Sequence, residues 1–254
     1  MSNPLFIAQD WAAVTFTASH SADASYPLTN LKTGFARDVW KSSSLAANQW
    51  LKIDLGSALT IDRFVIEGMS ADTFTVQYDT NDDSSFANPV THIGITPSTD
   101  GDPYVADQFS GQGAKRYWRL LWSGTPSTYP SIGQIMMCIG FSPSYPYDFG
   151  YRTKNREFES AVRSIALDGS IRTAIEYNGR EVLEMTFTLI SDADRAKFVT
   201  FFNTVRGPWL PFYFIDIDDA VYYVHLDERY NPLQTDNYQL NTLQRLVMRK
   251  QLVG

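Results

Sequence analysis

The feature that most restricts what this chain can become is a two-residue rhythm broken at short intervals. In "NQWLKIDLGSALTIDRFVI", Leu51, Ile53 and Leu55 alternate with Lys52 and Asp54, the pattern of a strand with one face buried and one in water. Gly56 interrupts the run and a second apolar run opens at Ile61, so two strands joined by a short loop are expected. The same grammar recurs in "TFTVQYD", "RYWRLLW" and "IGQIMMCIG", separated by Gly, Pro, Ser, Asp and Asn. No stretch of residues 1–142 sustains a helical period, and short punctuated strands of this kind predict a β-sandwich.

Beyond that point the text changes. Pro143, Pro146, Gly150 and several tyrosines crowd residues 143–156, which read as a linker to a second domain at 157–254. There "RTAIEYN", "REVLEMTFTLI", "PFYFIDI", "AVYYVHL" and "LQRLVMRKQLV" read as strands, with Asn178-Gly179 as a two-residue hairpin turn. One helix is expected: Ser191 as N-cap, Asp192 and Asp194 in the first turn, Gly207-Pro208 as terminator, and Phe198, Val199, Phe202 and Val205 as its apolar face. The fold class is therefore mainly β, a jelly-roll sandwich followed by an antiparallel β domain with one packed helix.

Charge and residue inventory narrow the function. The formal charge is −7, and residues 1–142 carry 8 Lys and Arg against 13 Asp and Glu, which argues against a phosphate-binding groove. No apolar run approaches the ~20 residues of a membrane span, and "MSNPLFIAQDWAAVTF" lacks the basic region and apolar core of a signal peptide. A soluble, unprocessed chain is expected. Cys138 is the one cysteine and reads as a buried, inert thiol; no disulfide within the chain or structural zinc site can be built from it. His20, His92 and His225 show no ligand spacing, and neither a Gly-x-Ser-x-Gly elbow nor a phosphate loop occurs. Asp216 and Asp218 in "FIDIDDA" would share a face of a strand end, yet an acidic turn closing a hairpin explains them with less; "DGDPY" at Asp100–Tyr104 reads in the same way as a solvated turn rather than a calcium loop. No catalytic residue, cofactor or metal is assigned, and the chain reads as a non-enzyme.

Four segments, "DVWKSSSLAANQWLKIDLGSALTIDRFVIEG", "TFTVQYDTNDDSSF", "AKRYWRLLWSG" and "IGQIMM", agree in order and spacing, and over roughly residues 5–140 the chain resembles the discoidin, or coagulation factor 5/8 type C, module. The resemblance implies a galactose-binding-like jelly roll in which Trp40 and Trp50 pack inside, "IDLG" is a core strand, and Arg116 to Leu120 form a late strand. Ligands of that fold commonly meet loops at one end of the sandwich, here "SHSADASYP", "SSSLAAN" and "SGTPSTYPS". These offer Tyr26, Trp122 and Tyr129 as stacking surfaces and Arg37, Ser44 and Asn48 as hydrogen-bonding groups. Many members hold calcium near an Asp-Gly pair, where this chain has Thr33-Gly34; Asp38 is the nearest substitute, and no metal is expected.

Residues 152–253, through "TFTLISDADRAKFVTFFNTVRGPWLPFYFIDIDD", resemble the minor tail proteins of long-tailed bacteriophages, including distal tail and hub-ring proteins with a tail-tube-like fold. That resemblance implies a structural virion protein at the tail tip. It would form a homo-oligomeric ring, for example a hexamer, with neighbouring tube and hub proteins as partners and an outward jelly roll for host glycans. Glu176, Glu181 and Glu184 would line an acidic lumen that repels DNA phosphates. Neither sequence-specific nucleic-acid binding nor a membrane partner is implied. The competing reading is a carbohydrate-binding adhesin without ring assembly.

Overall fold

The computed structural model describes residues 3–35, 37–70, 72–98, 102–106, 109, 111–148, 153–157, 161–165, 171–175, 180–187, 190–227 and 243–250. The chain divides into two compact units, one of Ile7–Gly140 and the other of Met1–Phe6 with Phe141–Leu252. Strand β1 (Leu5–Ile7) comes first and joins the sheet of the second unit. The first unit then follows as β2 (Thr15–Ala18), a 3-10 turn (Leu28–Lys32), β3 (Trp40–Lys41), β4 (Gln49–Leu59), β5 (Arg63–Glu67), β6 (Phe74–Asp79), β7 (Pro89–Ile95), β8 (Tyr104–Ala106), β9 (Lys115–Trp122), β10 (Ser131–Ile132) and β11 (Gln134–Cys138).

These strands form a five-stranded sheet in the order β2-β4-β9-β6-β7, a three-stranded sheet β11-β5-β8, and a two-stranded ladder β10-β3. Every pairing in them is antiparallel. The rhythm of β4 appears directly in its burial: Gln49, Leu51, Ile53 and Leu55 point inward, while Trp50, Lys52 and Asp54 are half-buried on the other face. Trp40 is buried, whereas Trp50 is not the core residue expected of it, because parity places it with Lys52 and Asp54. Leu51, Ile53, Trp118, Leu120 and Val76 supply the sandwich core from one sheet, and Phe64, Ile66, Ile135 and Met137 from the other. Phe109 links them, its ring centroid 5.6 Å from Phe64 and 5.2 Å from Trp118. Cys138 is buried as well, and burial pushes its thiol up to about 12.

Gly56 does not end β4 as its sequence suggests. The strand continues to Leu59 through an irregularity in its pairing with β9 between Asp54 and Leu59, as a bulge allows. Gly56 sits at φ +81°, and a Cβ there would meet the Ala13 carbonyl oxygen at 2.9 Å, so both conformation and space demand glycine.

The second unit adds β12 (Thr153–Glu157), β13 (Ala161–Ile165), β14 (Ile171–Ile175), β15 (Arg180–Phe187), α1 (Asp192–Val205), β16 (Phe212–Ile215), β17 (Val221–Leu226) and β18 (Leu243–Lys250). Six strands form one sheet, β1-β16-β17-β18-β15-β12, and β13 pairs with β14. Within residues 143–156, read from sequence as a linker, Thr153 onward is strand, and the buried Tyr147 hydroxyl donates to Asp216 Oδ1 at 2.7 Å. Asn178-Gly179 lies outside the described residues, and the strands expected to flank it as a hairpin find other partners, β14 with β13 and β15 with β12 and β18.

Helix α1 is capped as read: Ser191 Oγ accepts the Asp194 N–H at 3.1 Å, and Arg206 and Gly207 turn left-handed at its end. Its buried face is Phe198, Phe201, Phe202 and Val205, with Phe201 in place of the expected Val199. Asp194 is buried and accepts the Ser144 N–H at 3.0 Å. Phe6 lies at the centre of this core, with Phe201, Phe212 and Phe214 rings 5.3, 6.3 and 5.2 Å away. Phe6 and Phe141 exchange two backbone hydrogen bonds of 2.8 Å, so the chain leaves this unit and returns to it at one antiparallel bridge.

Replacing Gly56 by Ala is expected to destabilise the protein by about 2 kcal/mol through backbone strain and the Ala13 clash, measured as a lowered denaturant midpoint with unchanged slope.

Candidate functional site

The short ladder β3/β10 positions side chains that line an open cleft. Lys41 pairs with Ser131 and Trp40 with Ile132. Because neighbouring strand residues face opposite ways, Trp40 enters the core, its ring 6.1 Å from that of Trp122, while Lys41 faces the cleft. The cleft encloses about 590 Å³, within the usual range for a small-molecule site.

Its walls are two tyrosines from different loops. Tyr26 and Tyr129 are each 42% exposed, and the Lys41 Nζ lies 5.8 Å from one ring centroid and 5.3 Å from the other, a double cation–π contact. The Tyr26 loop is tied to β3, since the Lys41 N–H donates to the Tyr26 carbonyl at 3.1 Å and the Asp23 N–H to the Lys41 carbonyl at 2.8 Å. Val39 and Leu45 add apolar lining, and Ser70, Ser127, Thr128 and Ser131 add hydroxyls.

Asp72 organises the Tyr129 loop. One carboxylate oxygen accepts the Ser127 N–H (2.9 Å) and Oγ (2.7 Å), and the other the Thr128 N–H (2.8 Å) and Oγ1 (2.7 Å). Desolvation would raise its pKa, but these four donors outweigh it and hold the carboxyl well below the usual carboxylate range. The other rim loop is braced from below: Ser42 Oγ donates to Gln49 Oε1 at 2.6 Å, and Gln49 Nε2 donates to the Ser44 carbonyl at 2.6 Å.

The structure sorts the six sequence candidates. Tyr26 and Tyr129 come together in one cleft. Trp122 is 2% exposed, packed against Trp40 and Phe74, because an even step along β9 from Trp118 and Leu120 points it inward; it is core and offers no stacking face. Arg37, Ser44 and Asn48 lie outside the cleft lining. The Arg37 guanidinium sits 5.9 Å over the Phe35 ring. Ser44 Oγ accepts the Ala46 N–H at 3.0 Å. Asn48, at φ +58°, clasps Gly124 through its own N–H (2.8 Å) and Oδ1 (3.1 Å). Lys41, Ser127 and Thr128 escaped sequence reading; the available signal was the alternation that buries Trp40 and so turns Lys41 outward.

The acids are structural where they are described. Asp216 is buried and starts the turn between β16 and β17, accepting from Tyr147 and from the Ile217 N–H at 2.8 Å. Among the described residues no group of three or more His, Cys, Asp or Glu is placed to hold a metal ion, and no helix is long and apolar enough to cross a membrane. Of the proposed lumen glutamates, Glu176 lies outside the described residues. Glu181 and Glu184 are three apart on continuous β15 pairing, so they project to opposite faces and cannot share one lining; Glu181 pairs with Lys250 at 3.4 Å.

No protein-family model matches the chain, and no curated protein does. Solved structures similar to about half of it include chitosan-binding module 1 of a Paenibacillus sp. IK-5 chitosanase/glucanase, at 23% identity and TM-score 0.42, covering 54% of this chain and 98% of that one. A family 32 carbohydrate-binding module of Clostridium perfringens NanJ, in complex with galactose, matches at 14% identity and TM-score 0.43, covering 52% and 98%. An F5/8 type C domain from Bacteroides fragilis matches at 18% and 0.43, covering 52% and 95%.

A carboxyl whose folded pKa lies below its unfolded value stabilises at every pH above the unfolded value, and the contribution is lost as pH falls through the folded one. Asp72→Ala is therefore expected to lower Tm at pH 7, with the gap to wild type narrowing as the pH is taken below about 4. Calorimetric scans across that range check it.

Proposed function

We propose that this protein binds glycans through the Tyr26–Tyr129 cleft and performs no catalysis there. The observation that carries the reading is the pair of exposed tyrosine faces from separate loops, held around a ring of hydroxyls and one ammonium. A pyranose presents an apolar face and an edge of hydroxyls, and this combination meets both. The hydrogen-bonded loops supply preorganisation, which spares the ligand the entropy of ordering them. In this reading the Ile7–Gly140 unit is the binding module of an adhesin that attaches to cell-surface glycans. Tyr26→Ala and Tyr129→Ala are each expected to weaken glycan binding roughly tenfold (about 1.4 kcal/mol) with Tm retained. Glycan-array binding followed by calorimetry on the hits checks this, and undiminished binding by both variants would remove the cleft from the function.

A second reading, assembly of the other unit into a ring at a phage tail tip, is favoured by one observation. Trp209, in the turn after α1, is 83% exposed, and tryptophan is among the residues most enriched at the energetic centres of protein interfaces. In such a ring one patch meets a different patch on the next copy until the rotation closes. Trp209→Ser is expected to shift an oligomer toward monomer in light scattering coupled to gel filtration; a wild-type chain that stays monomeric at high concentration and with tail proteins present counts against assembly.

A further inference from the structure

We propose that the cleft selects saccharides carrying a carboxylate, with Lys41 as the carboxylate's partner; this specificity rests on the glycan-binding reading above. Lys41 is the one Lys, Arg, His, Asp or Glu among the residues lining the cleft. Four other cations of the described residues are matched to acids: Arg116 to Asp54 at 2.6 Å, Arg249 to Asp227 at 3.2 Å, Lys250 to Glu181 at 3.4 Å and Arg63 to Asp62 at 3.5 Å. Among the described residues no carboxylate forms an ion pair with Lys41, and its ammonium is held instead over two ring faces at the mouth of an open cleft. Those faces orient the ammonium without neutralising it.

The hydroxyls complete the pattern. An ionised carboxylate only accepts hydrogen bonds, so Ser127 and Thr128 commit their hydroxyl hydrogens to Asp72. Their oxygens then retain only lone pairs for a ligand and receive hydrogens from sugar hydroxyls. The same four donors satisfy both Asp72 oxygens, and Asp72 is not among the residues that line the cleft, which leaves Lys41 as the charged side chain a ligand meets there. One cation, adjacent acceptors and two aromatic faces complement a uronic or sialic acid: carboxylate, vicinal hydroxyl donors and an apolar ring face. A neutral hexose satisfies the last two and leaves the ammonium with water.

The test measures binding of the full chain to polygalacturonate and its methyl ester, and to sialyllactose and lactose, by calorimetry or affinity electrophoresis. The acidic form of a pair is expected to bind about tenfold tighter than its neutral counterpart, the worth of one charge-assisted hydrogen bond. Lys41→Gln, which keeps the stem but not the charge, is expected to erase that ratio, with an unchanged circular dichroism spectrum. Equal binding of acidic and neutral forms by wild type, or a preference surviving in Lys41→Gln, would overturn the proposal and leave glycan binding standing. Absence of binding to any of the four probes and to a broad glycan array would remove both.

Discussion

The antiparallel register of Gln49–Asp54 on Tyr117–Trp122 is the constraint on which the Tyr26–Tyr129 cleft depends. Pairing Gln49 with Trp122 makes both strands stop at the same level, so the loop before β4 and the loop after β9 emerge side by side. The Asn48–Gly124 clasp closes that junction. Trp122 turns inward beside Trp40 and Phe74, and this aromatic floor holds β3 in place. With Trp40 anchored, Lys41 has only the outer face to occupy. A single slip of register would invert every side chain of the pair and bring lysine and arginine into the core, which is why the buried set specifies the register strongly.

How far this was legible in the letters depended on the length of the pattern. Long alternating runs declare both strand and face, as β4 and β9 do, and the Ser191 cap with its first-turn acids declares a helix. Short segments do not. "LFI" at β1 carries the same apolar lettering whichever core it enters, and only pairing through Phe141 assigns it to the sheet-and-helix unit. A lone tryptophan at a strand end is ambiguous until parity is counted from a known core residue; counting from Leu120 would have buried Trp122, and counting from Glu181 would have separated it from Glu184. The Asp72 clamp joins residues some 55 apart in sequence, across two loops with no periodicity. Gly56 was legible as an anomaly, but turn and bulge both use positive φ, so its lettering did not distinguish them.

The bridge between Phe6 and Phe141 has a consequence for folding as well as for architecture. The sheet-and-helix unit cannot place β1 until the chain on either side of the intervening unit is brought together. The entropy of closing a flexible loop grows with the logarithm of its length, so closure is least favourable while residues 7–140 are unfolded. Within that unit the buried Gln9 Oε1 accepts the Met137 N–H at 2.7 Å, which holds its first and last segments close together. Once the sandwich has formed, the two crossing points are already near each other, and Phe6 can enter its phenylalanine core with little further loss of freedom.

The overall charge and the charge of the cleft act at different ranges. A chain carrying −7 repels anionic polymers at a distance, an effect screened beyond about 8–10 Å at physiological ionic strength. Lys41 acts within contact distance, partly sheltered by Tyr26 and Tyr129, where screening is weaker. Added salt thus lowers the barrier to approach as it weakens the contact, and the two effects oppose each other. A carboxylated ligand in this cleft should therefore show a shallower salt dependence than ligands of a broad basic patch, where approach and contact weaken together. In the proposed binding, selectivity would come from the local geometry of two rings, one ammonium and oriented hydroxyls, while the acidic remainder of the surface would disfavour polyanions that do not fit it.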